Sequence, residues 1–596
     1  MLDGVIFSDL GSLCEPKNEI SQNRLNNKWC SYSYSTADFT GTMLISLKEA
    51  KASNVSFNPR LSGWYKIFVG LYASAFDSSE IGLKLSSDKA FEFLGTYMQR
   101  DFARFLTEDV FWRCAKMDGE SVIIGKPFSE GYEKDSMISW IRFVPMTDEE
   151  IEKYSKEKER TDTKRLYTTN DMHGMLCFYD MERENAWKSV VEEYRDSDAE
   201  WLAVETLAHF SGEIIDCEME NFSFCRKCDK SFHTKWRSAY SEDNLKEIVS
   251  YGKENGLKMC VSMRVCKWGM DFPYDRIYFE QEFAKNNPHL RCVDRNGDIT
   301  EYMSFIYPEV QDYITDSFIK MAETGCDAVQ LIFSRGWPFV LFEKPFTDKF
   351  FELYGEDARL LPLDDDRIVE LKCSIMTDFV RKIRKALDGA GYGDTELHAK
   401  VLFSLYDNKL VGLDIEGWAK EGLVNRIVSD ERRIREILPP DIMENGKINL
   451  KKYTSYTNSS LDEPILYEYD RIFEPRVDSK GKLCGPKSNT ERIKEFMELE
   501  NKYGMTVYIE IMPRSMSVEH IVEKAHEIYD AGCGHIGLWD TYGRTRRRSE
   551  WNMWRSIGHK DELDEILKAQ DSLRTVVRLI ELDGKNIRTY MLTWGG

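Results

Sequence analysis

The sequence predicts an α/β protein: a (β/α)8 barrel preceded by an N-terminal β-sandwich and followed by a short C-terminal β extension. Three observations carry this. Residues 1–147 hold short apolar runs broken by Gly, Ser, Asn and Asp, with little helical periodicity. From about Tyr167 eight apolar runs follow one another, most of them succeeded by an amphipathic stretch. Between Gly325 and Pro345, the run GCDAVQLIFSRGWPFVLFEKP passes from a buried strand into a loop carrying Arg335, Trp337, Phe339 and Glu343.

In the N-terminal part, GWYKIFVGLYAS, IGLKLSS, ESVIIGK and SWIRFVPM read as strands of a β-sandwich (1–147). DEEIEKYSKEKERTDTK is charged and poor in apolar anchors, so residues 148–166 read as a linker or a solvated helix. The barrel (167–560) is then assembled from HGMLCFY, AEWLAVETLAHF, LKMCVSMRV, CDAVQLIF, ELHAKVLFS, VNRIVSDE, MTVYIEIMPR and GHIGLWD as its eight strands. Intervening segments such as DNLKEIVSYGKENG, VQDYITDSFIKMAETG and SVEHIVEKAHEIYDAG supply helices, several closed by a C-capping Gly. Strand and helix in alternation imply parallel strands, and eight such units imply closure into a barrel. An open doubly wound sheet is the alternative, but no Gly-rich phosphate turn follows a strand. Two insertions, 267–308 and 432–490, emerge on the side where barrel sites form. The final RTVVRLIELDGKNIRTYMLTWGG, within 561–596, reads as strands that rejoin the N-terminal β-domain.

Composition narrows the function. The chain has 596 residues, 42% hydrophobic and 31% charged, enough for several domains and a large core. A net charge of −21 argues against nucleic acid or an anionic membrane as partner, since each needs a basic face. The start MLDGVIFSDLGSLCEP lacks the basic and apolar regions of a signal peptide, and no apolar run approaches the roughly 20 residues of a membrane span. Fourteen cysteines without a framework spacing then fit reduced thiols, and a cytoplasmic location is expected. The chain's length and its β-domain are compatible with a homo-oligomer.

A barrel of this kind gathers the residues just past each strand's C-terminal end into one pocket. Those residues include Tyr179, Asp180, Glu205, His209, Arg264, Arg335, Glu343, Asp414, Glu416, Trp418, Asp430, Glu431, Glu510, Arg514, Trp539, Asp540 and Tyr542. Aromatic rings beside charged groups suit a sugar, with its apolar CH faces and hydroxyl rim. Glycosidic cleavage needs two carboxyl groups. Glu510, inside the apolar YIEIMPR, is expected to be buried only with partners, and in sugar-cleaving barrels with catalytic groups after strands four and seven it would be the nucleophile. Glu343 is the expected proton donor. Glu205, His209, Arg264, Arg335, Trp337, Asp414, Glu416, Trp418, Trp539, Asp540 and Tyr542 are the expected substrate contacts. Asp414 can equally cap the helix that holds Trp418, and Glu510 and Trp539 can equally close the barrel. Cys217, Cys225, Cys228 and His233 could hold a structural zinc, but with one CxxC the signal is moderate. Arg544–Arg548 reads as a solvated face or an anion contact. No catalytic metal or cofactor is expected.

Taken in order, NNPHLRCVDRNGD, YMSFIYPEVQDYI, GCDAVQLIFSRGWPFVLFEKP, GLDIEGWAKEGLV and GLWDTYGR resemble the bacterial family-10-like glycosyl hydrolases, clan-A-like TIM-barrel proteins. The resemblance covers roughly residues 170–560, and GWYKIFVGLY and RFVPM resemble the β-sandwich that precedes the barrel in some relatives. It implies a glycoside hydrolase acting on an oligosaccharide or small glycoside. One departure stands out: where many relatives have an acidic residue in a pattern like GIxLDxxR, this chain reads AVQLIFSR, with Gln330, Ile332 and Phe333. Other functions fit the same residues. One is a metal-dependent sugar lyase, isomerase or epimerase, with Glu205, His209, His398, Asp430 and Glu510 as ligands. Another is a non-catalytic carbohydrate-binding protein.

Overall fold

The structure, a computed structural model, describes residues 2–587 apart from 23–26, 48–49, 73–78, 97–105, 128–134, 172–184, 207–213, 217–241, 267, 269–278, 335–336, 431–442, 445–446, 449–475, 478–482, 485–488, 512–516 and 540–546. Eight parallel strands close into a barrel in chain order. They are β1 (Leu166–Asp171), β2 (Ala199–Thr206), β3 (Lys258–Arg264), β4 (Ala328–Ile332), β5 (Glu396–Val401), β6 (Arg426–Ser429), β7 (Thr506–Ile511) and β8 (Ile536–Trp539). Strands β2 to β8 fall where the sequence places them.

The first strand does not. It is LYTTND, in which Thr168, Thr169 and Asn170 are buried. Its polar composition hides it from an apolar pattern, and HGMLCFY, the run expected there, lies outside the described residues together with Tyr179 and Asp180. The charged run before it is a helix, α1 (Asp148–Glu159), set by a capping box in which Thr147 and Glu150 satisfy each other's backbone amides.

The pairing register advances by one residue per strand around the ring, the stagger that a closed eight-stranded barrel requires. Inward side chains therefore stack in layers drawn from alternate strands. Tyr167, Cys260, His398 and Tyr508 form a low layer, and Ala203, Gln330, Val428 and Gly537 lie above it. Thr169, Ser262, Lys400 and Glu510 come next, and Glu205, Ile332, Asp430 and Trp539 stand at the mouth. The lower layers are aromatic and apolar: Tyr167, Trp201, Ala203, Cys260, Ala328, Val428 and Tyr508 pack as one buried cluster. Charged pairs stand at both ends: Lys258–Glu200 and Arg426–Glu396, partly exposed, at the N-terminal end, and fully or nearly fully buried pairs at the C-terminal end.

Outside the barrel, α2 (Glu242–Glu254), α3 (Pro308–Ala322), α4 (Lys344–Tyr354), α5 (Asp366–Gly389), α6 (Ile415–Glu421), α7 (Asn489–Tyr503) and α8 (Val518–Asp530) cover the strands. Their apolar faces and the outward side chains of the strands make the main core, for example Phe318, Phe379, Val380 and Ile521 against Val329, Leu397 and Ile509.

The N-terminal residues form a large antiparallel sheet and a second, four-stranded sheet, Val55–Phe57, Ser79–Leu85, Glu92–Thr96 and Val122–Gly125. One buried cluster draws on both, with Ile67, Val69, Trp112 and Ile141 from the large sheet and Leu83, Leu85 and Ile124 from the small one. The chain's C-terminal part returns to the large sheet. Arg574–Arg578 pairs antiparallel with Leu106–Lys116, and Glu581–Leu582 pairs with Trp29–Ser35. Residues 561–573, expected within the β extension, instead contain the helix α10 (Leu563–Leu573).

Helix α9 (Arg548–Trp554) joins barrel to β-domain. Arg548 pairs with Glu92 and donates to the Trp112 carbonyl at 2.6 Å, while Trp112 Nε1 donates to the same Glu92 at 2.7 Å. Of the expected solvated run Arg544–Arg548, residues 544–546 lie outside the described residues, while Arg547 and Arg548 are largely buried partners of Glu108 and Glu92.

Candidate active site

Four ionisable groups and one indole converge at the C-terminal end of the barrel. Lys400, on β5, and Glu510, on β7, form an ion pair whose side chains are both 0% exposed. Glu205, on β2, pairs with Arg264, on β3, in the same buried setting. Trp539, at the end of β8, presents its ring to both cations: Lys400 Nζ lies 3.3 Å from the ring centroid, and the Arg264 guanidinium carbon lies 5.9 Å from it. A cation over an indole face is attracted by the ring quadrupole, more strongly where water is excluded. Taking two charges out of water is costly, and close pairing in a low dielectric repays it only with good geometry. Two such pairs gathered at one end of the barrel make the mouth the candidate site.

Asp430 lies in the same mouth layer, fully buried, with its backbone N–H on the Val401 carbonyl at 2.8 Å. Gln330 is buried one layer beneath the Lys400–Glu510 pair, and neither of its amide atoms has a hydrogen-bond partner among the described residues. A buried amide is normally satisfied by water or a ligand when protein does not do it. Small residues, Ala203 and Gly537, share its layer.

Several expected contacts lie elsewhere. Asp414 caps α6, accepting the Gly417 N–H at 3.2 Å. Glu416 faces α7, bound to Lys502 and Tyr503 at 3.1 and 3.0 Å. Trp418 is a fully buried core residue whose Nε1 donates to Thr377 Oγ1 at 3.0 Å and whose ring packs on Phe333. These positions serve the joint between α6, α7 and the outer face of the barrel rather than its mouth.

Trp337 is buried in the β4 loop. Glu343 is the N-cap residue of α4 and is fully buried, and its carboxyl group accepts the Leu341 N–H at 3.1 Å and the Val293 N–H at 3.3 Å. Burial raises its pKa, opposed by hydrogen bonds from its own loop and from Cys292 and Ser304. The structure thus ties Glu343 to the 291–304 segment and does not join it to the Lys400–Glu510 pair. His209, Arg335, Arg514, Asp540, Tyr542 and Glu431 lie outside the described residues, as do Cys217, Cys225, Cys228 and His233. Among the described residues, no group of three or more His, Cys, Asp or Glu side chains is arranged to hold a metal ion. His398, considered as a ligand above, sits low in the barrel between Tyr167 and Glu396, and burial lowers its pKa.

Lys400 is the member of this cluster that sequence reasoning missed. Its signal was present: a lysine in the middle of the apolar strand ELHAKVLFS, and lysines are almost never fully buried unless paired.

No family model matches the chain, and no curated protein matches it. Among solved structures it is similar to an α-galactosidase from Thermus thermophilus, with 10% identity over 89% of this chain and 94% of that chain and a TM-score of 0.33. It is also similar to a glycoside hydrolase 5 lichenase from Caldicellulosiruptor sp. F32, with 12% identity over 68% and 93% of the chains and a TM-score of 0.30. A third is the glycoside hydrolase domain of PelA from Pseudomonas aeruginosa, with 9% identity over 63% and 93% and a TM-score of 0.29.

Proposed function

We propose that this chain is a glycoside hydrolase that cleaves an oligosaccharide or small glycoside at the mouth of its barrel, with Glu510 as the charged carboxylate that attacks the sugar or activates water. The observation that carries this is the buried Lys400–Glu510 pair against the face of Trp539. The ammonium fixes the carboxylate's orientation and keeps it anionic in a setting where an unpaired charge would not persist. Glu205 is the second carboxyl group. It stands on β2, three positions around the ring from β7, so its side chain and that of Glu510 enter the mouth from well-separated directions. A sugar entering between them meets carboxyl groups on two sides, as glycosidic cleavage requires. In this reading the N-terminal sheets form a β-sandwich that buttresses the barrel through α9.

Crystals soaked with a panel of monosaccharides and aryl glycosides test the reading. A sugar C1 flanked by Glu510 and Glu205 supports it, and their separation then gives the stereochemistry: roughly 5 Å for retention, roughly 6.5–9.5 Å for inversion. A sugar bound away from both carboxyls overturns it. The double pairing of these carboxylates also favours a second reading, a non-catalytic sugar-binding protein, because a carboxylate committed to a cation is a poor proton donor. Sugar binding without turnover on any glycoside of the panel selects that alternative.

A further inference from the structure

At the opposite end of the barrel, where α1, the entries to β1 and β2, and α9 meet, lies a cavity of 610 Å³. Its wall includes Lys164, just before β1, Asp196 and Asp198, just before β2, and Asn552, Arg555 and His559 from α9 and the turn after it.

The charges around it do not balance. Each carboxylate on the wall has a cation: Asp196 has Lys158 at 3.2 Å, Asp198 has His559 at 2.7 Å, Glu562 has Arg160 at 2.9 Å, Glu157 has Arg160 at 3.3 Å and His559 at 2.6 Å, and Glu192 has Arg195. Three cations on the wall, Lys153, Lys164 and Arg555, have no carboxylate at ion-pair distance among the described residues, and two of them are held close to the barrel base. Arg555 is 7% exposed and reaches only the backbone carbonyls of Arg195 and Trp112, at 3.5 and 3.4 Å. Lys164 donates to the Ser197 carbonyl. Beside them Asn552, 3% exposed, has its side-chain oxygen without a hydrogen-bond partner among the described residues.

A buried guanidinium with no carboxylate in direct contact is costly, and Asp196 and Glu92 act on Arg555 only from beyond ion-pair distance, which leaves its fork of donors open to an anion. Burial first, then the neighbouring Arg548, push Arg555 down to about 10 against the opposing effect of Glu92 and Asp196. In a chain of net charge −21, positive surplus gathered at a cavity is not the average surface.

We propose that this cavity binds a small oxyanion, a phosphate or carboxylate group, held by Arg555 and Lys164, with Asn552 accepting a hydrogen bond from a hydroxyl of the same ligand. Arginine presents a planar fork of donors that fits either group. The site is separate from the barrel mouth and independent of the reaction assigned there. Because Phe111 and Cys114 of the large N-terminal sheet line it together with β2 and α9, a bound anion ties the β-domain and the barrel base together, and ligand that binds only the folded state raises the unfolding temperature by mass action.

Thermal unfolding and titration calorimetry of the full chain test this. Inorganic phosphate is the probe in one arm and succinate in the other, each against sodium chloride of equal ionic strength. The expected result is saturable binding of phosphate or succinate with a rise in Tm beyond the chloride control. The arm that responds identifies the group. Lys164→Met should weaken binding about tenfold, and Arg555→Met should abolish it, with its ligand-free Tm not lowered, since a buried unmatched charge has been removed. If Arg555→Met does not fold, Lys164→Met decides alone. Failure of both anions to exceed the chloride control, or unchanged affinity in the variants, overturns the proposal.

Discussion

Lys400 and Glu510 meet across the strand between them, β6, as an ion pair with no exposed side-chain surface, and Trp539 lies against the ammonium. Each group is tolerable inside the barrel only because the other is there. That mutual dependence sets a stability prediction separate from the catalytic one. Lys400→Met should cost about 3–5 kcal/mol, because it leaves a buried carboxylate without its cation. The double variant Lys400→Met, Glu510→Leu should recover most of that loss. Denaturant unfolding of the wild type, both single variants and the double variant completes the cycle. A double variant as unstable as the sum of the singles would mean that the two side chains do not act as a pair.

The Glu343 carboxyl group organises a loop. Glu343→Ala should destabilise by about 1–3 kcal/mol, since the Leu341 and Val293 amides lose their acceptor in a buried site. Its effect on kcat should be small beside that of Glu510→Gln. The measurement is a melting curve beside a rate on the same preparation. A large loss of kcat with unchanged Tm would restore Glu343 to the chemistry.

Much of this was legible in advance. Strands β2 to β8 were readable because their apolar, β-branched runs are bounded by clear turn signals, and Glu510 stood out as a charge inside such a run. The first strand was not, because Thr168, Thr169 and Asn170 face positions where buried polar groups find partners or space that a linear pattern does not encode. The GLDIEGW motif was ambiguous for a related reason. Asp, Glu and Trp suit a sugar site and a helix start equally, and the Gly417 amide and Thr377 hydroxyl, distant or local, decide for the helix. Glu343 was expected at the mouth because it follows β4; its loop turns back onto the 291–304 segment instead, a long-range contact that spacing cannot show.

Asp414→Ala should accordingly behave as a lost helix cap. A cost of about 1 kcal/mol in unfolding free energy is expected, with KM for any substrate unchanged. A rise in KM without a change in stability would place Asp414 in the substrate site.

The base of the barrel should be sensitive to alkaline pH. His559 has both ring nitrogens on carboxylates, Nδ1 on Asp198 at 2.7 Å and Nε2 on Glu157 at 2.6 Å. Despite the opposing effect of burial, these contacts raise its pKa to about 9. A histidine whose folded-state pKa is raised stabilises fully below its unfolded value of about 6.5 and loses that contribution as pH climbs to about 9. The whole effect is at most about 3 kcal/mol. Glu550 on α9, raised to about 7 chiefly by burial, adds a loss with the same sign, beginning near pH 4.5. Wild-type Tm should therefore fall between pH 6.5 and 9, and His559→Gln should flatten that part of the curve. An identical slope in the variant would remove His559 from the account.

The most direct test of the central claim is turnover of a panel of aryl glycosides by the wild type and by Glu510→Gln, with folding of the variant checked by its melting curve. The account predicts measurable release of aglycone by the wild type on at least one glycoside and a loss of about a thousandfold or more in the variant, the scale of removing a reacting group. Equal turnover by both proteins, or no turnover by the wild type on any glycoside, would contradict it.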